Sequence, residues 1–244
     1  MKFTSLTLLL ALSLPGVCRA QKDPDFMMGS VVKSDKWKMD RTNDIETFTG
    51  NVSFRNPRYT LKADNAVYDR GRSAWDLNGS VYALRLLADL SQVEMSSTRA
   101  RYLEAVEEVY LERGAQQIRM KYRGADGRVL NGLSDRAKAE NKTGLMYFTG
   151  FFSLATENLE LFSEQGQYDN RQNTFLLYNS TDLAAAPPGT SPLAVGKREG
   201  YDFAIAAESI KFFRDSRDIK FYNRVAGWTK DPLPAADSGG MKKL

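Results

Sequence analysis

The chain has 244 residues, with 34 Lys and Arg against 30 Asp and Glu, a formal net charge of +4, a single cysteine and no histidine. Without histidine there is no Ser-His-Asp or Cys-His catalytic set and none of the usual zinc ligand sets. Acids and bases are interspersed along the chain, which excludes the one-signed field of a nucleic-acid binder, and no nucleic-acid partner is expected.

Residues 1–20 open with Lys2, continue with an apolar run over 6–14 and close on "VCRA". That layout predicts a secretory signal peptide cleaved after Ala20. The apolar run breaks at Pro15-Gly16, well short of the ~20 residues that span a bilayer, so cleavage is expected in preference to a retained anchor. Cleavage also removes Cys18. A cysteine-free exported chain of this size fits a bacterial periplasm better than the disulfide-dense class of small secreted domains. The expected location is the periplasm, with membrane association only through partners.

Six segments then share a small residue followed by an acid, or by Thr98 in one case: "SDKWKMD" (34–40), "ADNAVYD" (63–69), "STRARYL" (97–103), "SDRAKAE" (134–140), "SEQGQYD" (163–169) and "AESIKFF" (207–213). Their second positions, Asp35, Asp64, Thr98, Asp135, Glu164 and Glu208, lie 29, 34, 37, 29 and 44 residues apart. Self-similarity at such a period marks stacked supersecondary units. Within each unit the apolar residues alternate with polar ones, the period of a half-buried strand, and a polar turn such as "DRGRS" (69–73) leads to a returning strand. The unit is therefore a hairpin and the fold class all-β. Gly50, Gly79 and Gly150 stand at matched places in three returning strands, in "FTGNV", "LNGSV" and "FTGFF". Glycine inside a strand marks a bulge or bend, so a shared corner is expected there.

Residues 101–117 carry helical spacing in Leu103, Val106 and Tyr110 and a helix-favouring composition. The repeat register nevertheless assigns them to strand, with Tyr102 and Val109 in the places of Tyr68 and Trp75. A Pro/Gly/Ala-rich insertion at 181–200 accounts for the longest repeat spacing, and residues 229–244 read as a disordered tail. The expected organisation is a signal peptide over 1–20, one β domain over 21–228 and the tail.

The acids that recur once per unit fit a repeated structural task, such as accepting hydrogen bonds at each corner, better than catalysis. One acid per unit and no "DxDxDG" loop leave too few ligands for calcium. No metal is expected. One strand face carries Trp37, Met39, Tyr68, Tyr102, Met146, Phe148, Tyr168, Phe175, Phe212 and Phe221, and the returning strands add Phe48, Val52 and Trp75. In most folds such a face is core. In a sheet folded over on itself it lines a trough that can hold acyl chains where its own side chains do not fill it. These residues are the candidate lipid-binding set, and core and trough both stand as readings.

Residues 34–69, "SDKWKMDRTNDIETFTGNVSFRNPRYTLKADNAVYD", resemble the start of the OstA-like family, typified by the periplasmic lipopolysaccharide transport protein LptA. The matching pattern is the Ser34-Asp35 strand, a turn, "FTGNV" over 48–52 and the Ala63-Asp64 corner. Residues 122–150 are also similar to LptC, the inner-membrane-anchored partner in that system. The resemblance implies a twisted open β-jellyroll built from repeated hairpins, whose hydrophobic trough passes lipopolysaccharide acyl chains from inner towards outer membrane. It implies as partners the lipid A acyl chains, other lipopolysaccharide transport components joined by edge-strand addition, and a head-to-tail homo-oligomer. No cofactor and no enzymatic activity are expected. The length of the chain, the 181–200 insertion and the degenerate unit at 97–111 leave LptA-like and LptC-like roles both open. Two further readings remain: an envelope scaffold with a packed interior, and a carbohydrate-active enzyme.

Overall fold

The computed structural model describes residues 31–55, 57, 59–87, 89–179, 191–198 and 201–230. The expected signal peptide, most of the 181–200 insertion and the tail beyond Lys230 lie outside the described residues. In chain order the strands are β1 (Val31–Lys33), β2 (Lys36–Asp40), β3 (Ile45–Arg55), β4 (Tyr59–Asp69), β5 (Ala74–Leu86), β6 (Gln92–Leu103), β7 (Glu108–Glu112), β8 (Ile118–Arg123) and β9 (Val129–Ser134). They continue as β10 (Arg136–Glu140), β11 (Leu145–Ala155), β12 (Leu159–Asp169), β13 (Thr174–Tyr178), β14 (Leu193–Arg198), β15 (Tyr201–Ala206), β16 (Ser209–Phe213), β17 (Ile219–Tyr222) and β18 (Ala226–Lys230). Residues 101–117 are strand, turn and strand, as the repeat register requires. The last strand takes in Thr229 and Lys230, which composition alone assigns to the tail.

Every pairing is antiparallel, and the strands form two ladders. The first runs β2-β3-β4-β5-β6-β7-β10-β11-β12-β13-β16-β17. The second runs β1-β3-β4-β5-β6-β8-β9-β11-β12-β14-β15-β18. Strands β3, β4, β5, β6, β11 and β12 belong to both, each crossing from one ladder to the other. The hairpins are those the repeat predicts, and the result is the open jellyroll that the resemblance implies, two sheet layers joined at a corner.

The corner follows from the glycines. Register shifts fall between Thr49 and Val52, Asn78 and Val81, and Thr149 and Phe152, so one extra residue bends each strand there. Gly50 and Gly79 sit at φ +76° and +74°, a left-handed region that costs other residues a Cβ clash. Above each stands the recurring acid of the preceding strand. A β-carbon on Gly50 would overlap the Asp35 carboxylate, one on Gly79 that of Asp64, and one on Gly150 that of Asp135. Thr98 takes the same place over Gly114. The preceding small residue has its own task, since the hydroxyls of Ser34, Ser97, Ser134 and Ser163 each donate to the carbonyl two residues on, at 2.6–3.0 Å. The small-acid repeat is thus a corner device. The hairpin ends are set by a second one, in which Asp40, Asp69 and Asp169 accept from backbone amides two or three residues ahead.

Three rows of directly opposed residues make the interior. Along the first ladder one row reads Trp37, Phe48, Ala66, Leu77, Ala100, Leu111, Ala137, Phe148, Gly166, Leu177, Ile210 and Phe221. Large and small residues alternate through most of it, so that neighbouring side chains interlock. The Phe152 ring fills the space over Gly166 and stacks on Phe148 at 4.6 Å between centroids. A second row reads Met39, Glu46, Tyr68, Trp75, Tyr102, Val109, Ala139, Met146, Tyr168, Phe175, Phe212 and Ile219. Facing them, the second ladder contributes Phe54, Leu61, Ala83, Met95, Met120, Gly132, Leu154, Leu161, Ala194 and Ile205.

A candidate ligand groove between the sheet layers

The space between the layers changes along the molecule. In the N-terminal third it is filled. Trp75 stacks on Tyr68 at 4.4 Å, takes the edge of Phe54 at 4.9 Å and lies 5.8 Å from Phe48. Glu104, in the turn before β7, accepts from both the Tyr68 hydroxyl at 3.0 Å and the Trp75 indole at 2.9 Å. Glu46 accepts the Trp37 indole N–H at 2.9 Å and the Arg70 guanidinium at 2.7 Å. The polar tips of Tyr68 and Trp75 are therefore satisfied, as Tyr and Trp packed into an interior require, and the exposed Trp37 has a partner as well.

The middle holds a cavity of about 210 Å³. Tyr102, Val109, Met146, Tyr168 and Phe175 of the first ladder face Leu61, Val93, Met95, Met120 and Tyr122 of the second across it. Arg214 closes one side although only 6% of it is exposed. Its Nη1 donates to the Tyr168 hydroxyl at 2.7 Å, its Nε to Asp215 at 2.8 Å, and its guanidinium lies 4.5 Å over the Tyr122 ring. A buried guanidinium needs such partners, and this one has an acid, a phenol and an aromatic face. Burial pushes the Tyr168 phenol up to about 12.

Towards the C-terminal end the layers part into a groove of about 1360 Å³. Phe212, Ile219 and Phe221 form one wall; Tyr201, Phe203, Ile205 and Thr229 form the other; residues 126–129 and 156–159 bound it. Its rim carries Asp126, Arg128, Glu157, Lys197, Arg217 and Asp218. The groove stays open because β17 and β18 end the two ladders, and among the described residues no further strand continues either past the half-buried face of β17 and the exposed β18.

The candidate residues of the sequence reading divide among these regions. Tyr102, Met146, Tyr168 and Phe175 line the central cavity, and Phe212 and Phe221 the groove. Phe48, Val52, Tyr68 and Trp75 pack in the filled third, and Phe148, 1% exposed, is wedged under Phe152. Met39 is half-buried, and Trp37 occupies the expected row yet remains 60% exposed because it stands on the terminal strand. Sequence reasoning missed the second layer: Phe54, Leu61, Met95, Met120, Tyr122, Phe203 and Ile205. The period-two pattern in "IRMKYR" and "YDFAIA" carries that signal, but the repeat was anchored on the small-acid strands, which lie in the first ladder.

Among the described residues no helix is long and apolar enough to cross a membrane, and no group of three acids or other ligating side chains is placed to hold a metal ion. The class these features define is a two-layer antiparallel β protein with an apolar groove between its layers. No protein-family model matches the chain, and no curated protein does. Among solved structures it is similar to LptH of Pseudomonas aeruginosa, described as the LptA-homologous periplasmic component of the conserved lipopolysaccharide transport device. The likeness has 13% sequence identity and a TM-score of 0.33, and covers 71% of this chain and 99% of that one.

Proposed function

We propose that this chain is a lipid-carrying protein of the bacterial periplasm, which shields the acyl chains of lipopolysaccharide in the groove between its layers and helps to bridge the inner and outer membranes. The observation that carries the reading is the groove itself: about 1360 Å³, walled by Phe203, Ile205, Phe212, Ile219 and Phe221 and left open by the last strands of both ladders. Each methylene moved from water into such a wall gains ~0.8 kcal/mol, so a chain of six carbons gains roughly 5 kcal/mol before ordering costs. The protein holds and passes; it has no nucleotide-binding loop, so direction comes from a partner. Among the described residues both ends offer unpaired strand edges, β1 and β2 at one and β17 and β18 at the other, the geometry of assembly by strand addition with transport partners or a second copy. A cleaved leader makes the chain the soluble bridge; a retained one makes it the LptC-like partner.

A second reading, an envelope scaffold, draws support from the central row, where Phe148, Leu177 and Ile210 are buried by their own neighbours. Photocrosslinking in cells separates the two, with a benzophenone amino acid at Phe221, at Phe148 and, as an exposed control, at Arg72. Lipopolysaccharide adducts at Phe221 and none at Arg72 are expected. Absence of adduct at Phe221, Phe203 and Ile205 alike would overturn the carrier reading in favour of the scaffold.

A further inference from the structure

Three cations line the groove, and two are accounted for. Arg128 pairs with Asp126 and donates through Nη2 to the Asp215 carbonyl at 3.1 Å. Lys197 lies 3.5 Å from Asp202. Arg217 is different. Among the described residues it has no ion pair, and its Nε is buried without a hydrogen-bond partner. Asp126, Glu157 and Asp218 share the rim with it, yet none bonds to it. A buried donor on a charged group left unbonded is costly, and native proteins keep such groups where something else completes them.

The backbone holds Arg217 in this position. Its φ is +64°, in the left-handed region that few non-glycine residues adopt. The turn from β16 to β17 is closed around it by Arg217 N–H to Phe213 O at 2.8 Å and Phe213 N–H to Asp218 O at 2.9 Å. The guanidinium is thereby set 6.0 Å from the centre of the Phe212 ring, on the apolar wall itself. Burial and the neighbouring charge of Arg128 hold its pKa below the usual arginine value.

Resting on the acyl-binding reading above, we infer that Arg217, supported by Arg128, is an anion-binding site at the head of the groove that takes the phosphate of an amphiphile whose acyl chain lies against Phe212, Ile219 and Phe221. The guanidinium fork matches two phosphate oxygens, and the apolar wall starts one ring away. One molecule carrying both a phosphate and an alkyl chain engages the Arg217 guanidinium and the apolar wall together; a free anion engages only the first.

Calorimetric titration of the full chain with dodecyl phosphate, dodecyl maltoside and inorganic phosphate, the amphiphiles kept below their micelle concentrations, tests this. Dodecyl phosphate is expected to bind roughly tenfold tighter than dodecyl maltoside, the scale of a charge-assisted hydrogen bond. Arg217→Gln should abolish that preference and leave maltoside binding within about twofold. Arg217→Lys, which keeps the charge but loses the fork, should retain part of it, a gradation that misfolding would not produce. Should Arg217→Gln fold poorly, Arg128→Gln provides a second variant, expected to weaken phosphate binding alone. A preference that survives Arg217→Gln overturns the inference, as does inorganic phosphate binding as tightly as dodecyl phosphate, which would define a free-anion site. Maltoside that fails to bind the unaltered protein overturns the acyl-binding reading instead.

Discussion

The carboxylate of Asp64 stands over Gly79, in the space a β-carbon there would occupy, while Gly79 holds φ +74°. Both conditions penalise any side chain at the position. Gly79→Ala should cost roughly 2–4 kcal/mol, combining about 1 kcal/mol of left-handed strain with the overlap. In an Asp64→Ala background the second contribution falls away. Urea midpoints for the four members of that cycle, with unchanged m-values, should give a coupling of about 1 kcal/mol or more; strict additivity would show that the acid and the glycine are independent.

Phe148 and Phe221 lie on one row but in different surroundings. Phe148 is enclosed and stacked on Phe152, so Phe148→Ala should destabilise the protein by about 3–5 kcal/mol. Phe221 is half-buried on the groove wall, and Phe221→Ala should cost only ~1 kcal/mol. The carrier reading adds that Phe221→Ala weakens dodecyl maltoside binding severalfold. Equal losses of stability at the two positions would mean that the groove end is as closed as the centre.

Burial raises the pKa of the Tyr168 hydroxyl from 10.0 to about 12, against the opposing pull of its hydrogen-bonded partner Arg214. Between those values the unfolded chain has released the proton and the folded one keeps it, so stability is full below pH 10 and falls as pH rises towards 12. The loss from this one group is on the order of 3 kcal/mol. Other tyrosines titrate nearby, so the check is a difference: the drop in urea midpoint between pH 9 and pH 11.5 should be smaller in Tyr168→Phe than in the parent. An identical drop would place the alkaline sensitivity elsewhere.

Arg214→Met removes the donor to Tyr168 and the cation over Tyr122 while leaving most of the volume. Among the described residues the phenol then has the Asn170 and Asn173 side-chain oxygens near it, at 3.5 and 3.4 Å. A loss of roughly 2–3 kcal/mol is expected, with an earlier thermal transition. A neutral or stabilising outcome would mean that desolvating the guanidinium cancels what its partners return.

Trp37 and Trp228 are 60% and 57% exposed on the terminal strands at opposite ends of the ladders. If copies join end to end, Trp37→Lys and Trp228→Lys should each shift sedimentation velocity profiles towards monomer, because a charge on a strand edge opposes further pairing. Profiles unaffected by either change, in a protein that still self-associates, would put the contact on another surface.

The all-β class, the hairpin unit and the corner were legible in the sequence because each is a local demand repeated several times. Period two needs only alternation, Asx turns need an acid at the strand end, and a left-handed bend needs glycine; six imperfect copies reinforce one another. Even residues 101–117, helical by propensity, yield to the register that Tyr102 and Val109 share with their neighbours. The groove was not legible in the same way. Trp37, Phe148 and Phe221 belong to one row and look alike along the chain, yet one is exposed, one enclosed and one faces open space. That difference depends on how many strands flank each and on where the two layers part, a property of the assembled sheets. The second wall, Phe203 and Ile205, and the unbonded Nε of Arg217 depend on it as well, since each is defined by what stands across the gap. Local pattern along the chain is enough to specify the strands, their corners and the apolar rows; which part of those rows is filled and which is left open follows from the assembled layers, because filling is a relation between segments far apart in the chain.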